Sequence, residues 1–136
     1  MAKQVLGPPS TFTVNGTDLS QWVTNVTVED SREEVDVTGF GTSFREFVPG
    51  LRDSTITATF VQDYVSGGPD ATISPLYFNQ LAGTVKINPD TAGTVVYTQV
   101  SKVYNWPPVS GGPGEVSTAD VTFRNFGTAG LTRGTA

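Results

Sequence analysis

The sequence contains no cysteine and no histidine. Without cysteine it can form neither a disulfide nor a thiolate metal site. Without histidine it has no Ser-His-Asp or Cys-His nucleophilic pair, no imidazole acid–base group and almost no route to a zinc centre. Long apolar runs are missing as well, and no stretch approaches the roughly 18 residues a membrane-spanning helix requires. The first residues, "MAKQVLGPPST", hold one lysine and no apolar run, so they do not read as a secretory signal. The chain is expected to be made in the cytoplasm, with no membrane partner. Basic residues are scarce, 8 Lys and Arg against 13 Asp and Glu, for a net charge of −5. A chain of that sign is not built to bind nucleic acid by neutralising phosphates.

Carboxylates are the remaining catalytic material, and their placement is poor. Glu33 and Glu34 are sequence neighbours, so in a strand they point to opposite faces and cannot flank one substrate. Glu29 and Asp63 lie on separate predicted strands and are the one pair free to approach. "EDSREEVD" lacks the spaced oxygen pattern of a calcium loop. Gly39-Phe40-Gly41 opens no helix, which argues against a phosphate loop. Asn15-Gly16-Thr17 and Asn25-Val26-Thr27 match the N-glycosylation triplet, without meaning in a chain that is not secreted. Trp22, Trp106, Tyr97 and Tyr104 read as sheet or core packing more readily than as a sugar-stacking platform. No enzyme, cofactor or metal is indicated.

What is abundant points to β-structure. There are 20 threonines and 18 valines against 6 leucines, a bias that suits pleated surfaces and disfavours helix. The 136 residues are expected to form a single domain, 1–136, long enough to bury about two-thirds of its unfolded surface. Short alternating runs read as strands: "TFTV" (11–14) before an Asn15-Gly16 turn, "WVTNVTVED" (22–30), "EEVDV" (33–37), "STITATFVQDY" (54–64), "GTVKINP" (83–89), "TVVYTQVSKVYNW" (94–106) and "STADVTFRNF" (117–126). In the 54–64 run, Ile56, Ala58, Phe60 and Tyr64 are expected on one face and Thr55, Thr57, Thr59 and Asp63 on the other.

One helix is predicted in "ISPLYFNQLAG", capped by Ser74, opened by Pro75 and closed by Gly83, with Leu76, Tyr77 and Leu81 as its apolar stripe. "VSGGPD" (65–70) and "VSGGPG" (109–114) read as two unrelated connections. The tail at 127–136 reads as flexible or as a partner-dependent arm. The resulting architecture is mainly β, an antiparallel β-sandwich or open barrel with one short α-helix. Such a sheet has exposed edges, which are sites of assembly or of aggregation.

Two features remain. Residues 29–63 carry 8 of the 13 acids, either a solvated face or a surface that repels other anions. Phe40, Phe44 and Phe47 sit among turn residues, where water would be expected. The segment that holds them, "EEVDVTGFGTSFREFVPGLRDSTITATFVQDY" (33–64), resembles the tail tube proteins of long-tailed bacteriophages, in its "VDVTGFG", "FRE" and "PGLRD" runs and the strand that follows. The likeness is specific over about thirty residues and architectural over the rest.

The resemblance implies a structural virion protein of the tail. Its subunits close into hexameric rings whose strands join in one ring-shaped barrel, and the rings stack into a tube that conducts the genome. Tail terminator and distal tail proteins would be its other partners, and DNA would pass without specific binding. It implies that 31–50 is a protruding inter-subunit loop on which Phe40, Phe44, Arg45 and Phe47 meet neighbours, with Arg52 just beyond it as a further contact. Six copies at −5 each carry −30, and the polar faces with Thr27, Glu29, Thr55, Thr57, Thr59 and Asp63 become the candidate lumen lining, with Arg124 as an exception. The alternatives are another virion sandwich, such as a capsid-decorating or tail-terminator protein, or a monomeric carbohydrate-binding module.

Overall fold

The computed structural model describes residues 10–89, 95–127 and 130–134. The reading of the first nine residues therefore lies outside the described residues. Strands β1 (Thr11–Val14) and β2 (Thr17–Asp18) are joined by the Asn15-Gly16 turn, with φ of 51° and 83° at its two positions. That is the primed turn the dipeptide favours. A Cβ at Gly16 would meet nothing within 4 Å, so substitution there acts through the backbone alone. Gly16→Val should lower stability by about 1–2 kcal/mol, the usual cost of a left-handed conformation for a residue with a Cβ. Chemical denaturation checks it, and an unchanged midpoint would contradict it.

The chain continues through β3 (Val23–Asp36), β4 (Phe47–Val61), helix α1 (Pro69–Phe78), β5 (Gly83–Asn88), β6 (Val96–Asn105), β7 (Thr118–Asn125) and β8 (Thr132–Gly134). These strands form one antiparallel sheet in the order β2-β1-β5-β6-β7-β4-β3. β8 lies beside β6 at Val96–Thr98, and β7 pairs with β6 from Ser101 onward. The sheet curls on itself. Phe12 of β1 stands edge-on to Phe60 of β4 at 5.6 Å and lies 6.2 Å from Phe123 of β7, although β5 and β6 separate β1 from β7 in the sheet. The curl stops short of closing, because β2 and β3 end the sheet without pairing to each other.

Alternation decides the core. Ile56, Ala58 and Phe60 of β4, Ala119, Val121 and Phe123 of β7, and Val85 and Ile87 of β5 are buried together with Phe12, Val14 and Leu19. The mainly-β open sheet with one helix is the predicted class. Several local readings need correction. Residues 33–36 are no separate strand; they continue β3, with Glu34, Val35 and Asp36 paired to Pro49, Val48 and Phe47 beyond a bulge opposite Arg32–Glu34, and Val37 lies just past the strand's end. Tyr64 is exposed beyond the end of β4, since the strand stops at Val61 and the alternation stops with it.

The helix begins earlier than predicted, at Pro69 after Gly68, so Pro69 takes the first helical position and Pro75 lies inside. Ser74 does not cap it. Its hydroxyl donates to Asp70 Oδ1 at 2.9 Å and accepts from Trp106 Nε1 at 2.9 Å, tying the helix to the end of β6. The buried stripe is Pro69, Ile73 and Leu76, whereas Tyr77, Phe78 and Leu81 are exposed. Gln80, with φ of 54°, makes the left-handed stop assigned to Gly83. Gly83 instead lets Leu76 approach, since a Cβ there would lie 3.0 Å from Leu76 Cδ1. In the tail, Leu131 is buried and Thr132–Gly134 pair with β6, so this part is no frayed end; residues 128–129 and 135–136 lie outside the described residues.

Candidate assembly interface

β3 and β4 run in register far beyond the body of the sheet. β7 accompanies β4 only from Thr55 to Val61, while the β3–β4 pairing continues to Asp36 and Phe47. The result is a two-stranded arm with a tip at 37–46, and every residue from Glu29 to Pro49 is exposed. At two strands wide, the arm has no second layer to cover its apolar side chains. Phe40 is fully exposed, Phe44 is 83% exposed and Leu51 81%, with Val35, Val37, Phe47 and Val48 also open. A ribbon of this kind is marginal in water on its own.

The tip is nevertheless organised. Val37 N–H donates to the Glu46 carbonyl at 2.9 Å, and Glu46 N–H to Thr38 Oγ1 at 2.8 Å. Thr38 N–H donates to Asp36 Oδ1 at 2.9 Å, and the hydrogen bonding from Thr38 holds the Asp36 carboxyl below the ordinary aspartate range. Gly50 sits at the bulge, where a Cβ would lie 3.1 Å from Glu33 Cβ, so the strands close only over glycine.

Of the five predicted contact residues, Phe40, Phe44, Arg45 and Phe47 lie on the outer arm. Arg45 has no ion-pair partner among the described residues. Arg52 is at the arm's base and is engaged inside the subunit. It pairs with Asp30 across the strands and donates to the Leu131 carbonyl at 3.1 Å, joining the arm to the C-terminal strand. The hydrogen bond from Arg52 lowers the Asp30 pKa, against a small opposing effect of burial. A depressed folded value means the pair stabilises above the ordinary aspartate range and is lost as pH falls through the folded value. Acidification below that range should therefore raise hydrogen exchange at the arm's base before the core opens. In an Asp30→Asn variant that acid step should vanish; its persistence would contradict the assignment.

Of the six predicted lining residues, five share one face. Cross-strand partners run Thr27↔Thr57↔Thr122, and Glu29↔Thr55↔Arg124↔Lys102. Thr59 donates to Asp120 Oδ1 at 2.7 Å, and Arg124 meets Asp53 at 3.0 Å, so the predicted cationic exception is matched by a carboxylate. Asp63 does not join this face. It lies past β4, where its carboxylate accepts from Trp22 Nε1 at 3.0 Å and from Val65 N–H at 3.1 Å. Glu29 stands opposite Thr55, well inside β4, whereas Asp63 is held beyond the strand's end by Trp22 and Val65, so the one carboxylate pair left open by the sequence does not form. Sequence reading missed the Asp53–Arg124 and Arg52–Leu131 links, since no local pattern signals a partner 71 or 79 residues away. Where the sheet fails to close, a cleft of about 990 Å³ lies between β1–β2 and β3, with Phe12, Val26, Val28 and Leu131 among its lining.

No family model and no curated protein matches the sequence. Solved structures do match. A chain of the virion of a native gene transfer agent particle superposes with a TM-score of 0.76 at 14% identity, over 93% of this chain and 97% of that one. A chain of the tail of an empty particle of that kind, refined with C6 symmetry, gives 0.71 at 15% identity over 86% of each. This chain has the fold of phage-like tail components. A chain of the sheath–tube complex of an extracellular contractile injection system, in its extended state, gives 0.64 at 10% identity over 93% of this chain and 88% of that one. These neighbours are parts of particles rather than enzymes, and they agree with the family resemblance carried by residues 33–64.

Proposed function

We propose that this chain is the repeating subunit of a phage-like tail tube, in which six copies close into a ring and rings stack around a genome-conducting lumen. The arm carries this reading. It exposes Phe40, Phe44 and Leu51 on a ribbon with no cover of its own, and buried aromatics of this type are the residues that anchor protein contacts. The unclosed sheet supports it from a second side, since joining sheets in a ring pairs edges that would otherwise be open. A head-to-tail contact that closes gives the ring, and a repeat along the axis gives the tube. The C6 symmetry of the tail neighbour supports a count of six.

In this reading the outer arm, with Phe40, Phe44, Arg45 and Phe47, meets the neighbouring ring. The face bearing Thr27, Thr55, Thr57, Thr59 and Glu29 lines the lumen. Hydroxyls and the Glu29 carboxylate there give phosphates no cationic partner, and of the two cations in the row Arg124 is already matched by Asp53, which leaves Lys102 alone without a carboxylate among the described residues. Tail terminator and distal tail proteins would close the two ends.

The test is negative-stain electron microscopy with light-scattering mass across a concentration series, with and without preformed tube ends as nuclei. Hollow tubes or six-membered rings are expected. A mass of 14.4 kDa under every condition would overturn the proposal. Rings that never stack would assign the chain to termination instead.

A further inference from the structure

Resting on the tube reading, we infer which two edges join neighbouring copies: β3 of one copy adds to the open side of β6 of the next, with Glu29 facing Lys102 across the junction. Both edges are incomplete within the subunit. Among the described residues β3 has β4 on one side and no strand on the other. β6 has β7 beside it from Ser101 to Asn105, but β5 leaves its opposite side at the Gly83↔Ser101 pair. Residues 102–105 therefore have a strand neighbour on one side only. Along that open side runs a groove of about 490 Å³ between β6 and the end of α1, lined by Tyr77, Phe78, Lys102 and Tyr104 among others. The edge-to-face Tyr77–Phe78 pair, with ring centroids 5.3 Å apart, forms an exposed apolar wall there that none of the described residues covers.

Charge selects the occupant. β3 carries Glu29, Asp30, Glu33, Glu34 and Asp36 against Arg32 alone. β5, β6 and β8 carry Lys86, Lys102 and Arg133 and no acid. An edge of one sign on one flank and of the other sign on the opposite flank suits a head-to-tail contact and opposes self-pairing of either edge. The cross-sheet row Glu29–Thr55–Arg124–Lys102 has its acid on the free edge of β3 and its base on the open side of β6. Repetition of the row around a ring brings each Lys102 to the acidic edge of the next β3. Lys102 also rests 4.2 Å above the Phe126 ring, which holds its ammonium on this face.

Charge reversal tests the junction. Lys102→Glu and Glu29→Lys are made singly, and melting curves check that each subunit still folds. Each single variant should raise the concentration needed for ring formation at least tenfold. A 1:1 mixture of the two should restore assembly, because every junction of an alternating six-membered ring again sets a carboxylate against an ammonium. Single variants that assemble like the wild type would overturn the junction and leave the tube reading standing. Failure of the mixture, with both variants folded, would overturn it too. A wild-type protein that never forms rings would remove the tube reading, and this junction with it.

Discussion

Replacing Phe40 and Phe44 together by serine should leave the subunit folded and prevent it from assembling. Both rings are open to water in the single subunit, where neither touches the core cluster. Their loss removes no buried surface from the fold, and surface changes of this kind usually move stability by no more than about 0.5 kcal/mol. In the tube each ring would fill a contact with a neighbour, where truncation of an anchoring aromatic costs about 2 kcal/mol or more. One such loss weakens a contact roughly 30-fold, and every subunit of the tube carries two. Light scattering at concentrations where the wild type forms tubes is the check. Melting of the subunit should be unchanged, and tubes of normal length from the double variant would contradict the role given to the arm.

The second large effect lies at the far end of β4, the strand that leads from the arm's tip into the body of the sheet. Phe60→Ala should cost about 3–5 kcal/mol, the usual loss for a fully buried phenylalanine. Phe60 is completely buried and packs edge-on against Phe12, so its removal opens the contact between the two ends of the curled sheet. Against a typical total of about 5–15 kcal/mol this is a large fraction. Thr57, three residues away on the opposite face and exposed, should tolerate alanine within about 0.5 kcal/mol in the isolated subunit. Urea denaturation of the two variants side by side checks the pair. Similar losses at the two sites would mean that the inner and outer faces of β4 have been misassigned.

This contrast along one strand explains what the sequence made legible. Strict alternation in "STITATF" fixed which side chains enter the core, because a strand's period of two leaves no other solution once one face is apolar. Asn15-Gly16 announced its turn for an equally local reason, the ease of left-handed conformations at both residues. The arm's strands were harder to read. Residues 33–37 and 47–53 have no core to face, so Val35 and Val37 alternating with carboxylates suggest a strand without showing what it pairs with, and 47–53 carries charge and proline instead of alternation. They are strands because each pairs with the other.

The helix was displaced because two prolines compete for its first turn, and "SPLYF" offered the stronger local signal. Trp106 decides the outcome from a distance by taking the Ser74 hydroxyl that would have capped the shorter helix. Asp63 was placed on the polar face by extending the alternation past the end of β4. Its partner Trp22 lies 41 residues earlier and leaves no trace in the local pattern. The exposed arm was legible from another kind of mismatch: aromatics in a segment of turn residues, which the described residues of the subunit leave uncovered.

The most direct measurement is a cryo-electron-microscopy reconstruction of the assembled protein, at a resolution that places side chains. The account predicts a sixfold tube with Thr57 and its row facing the lumen, Phe60 inside each subunit, and Phe40 and Phe44 buried against the adjacent ring. A lumen lined by another face of the sheet, or an arm that points into solvent in the finished tube, would contradict it.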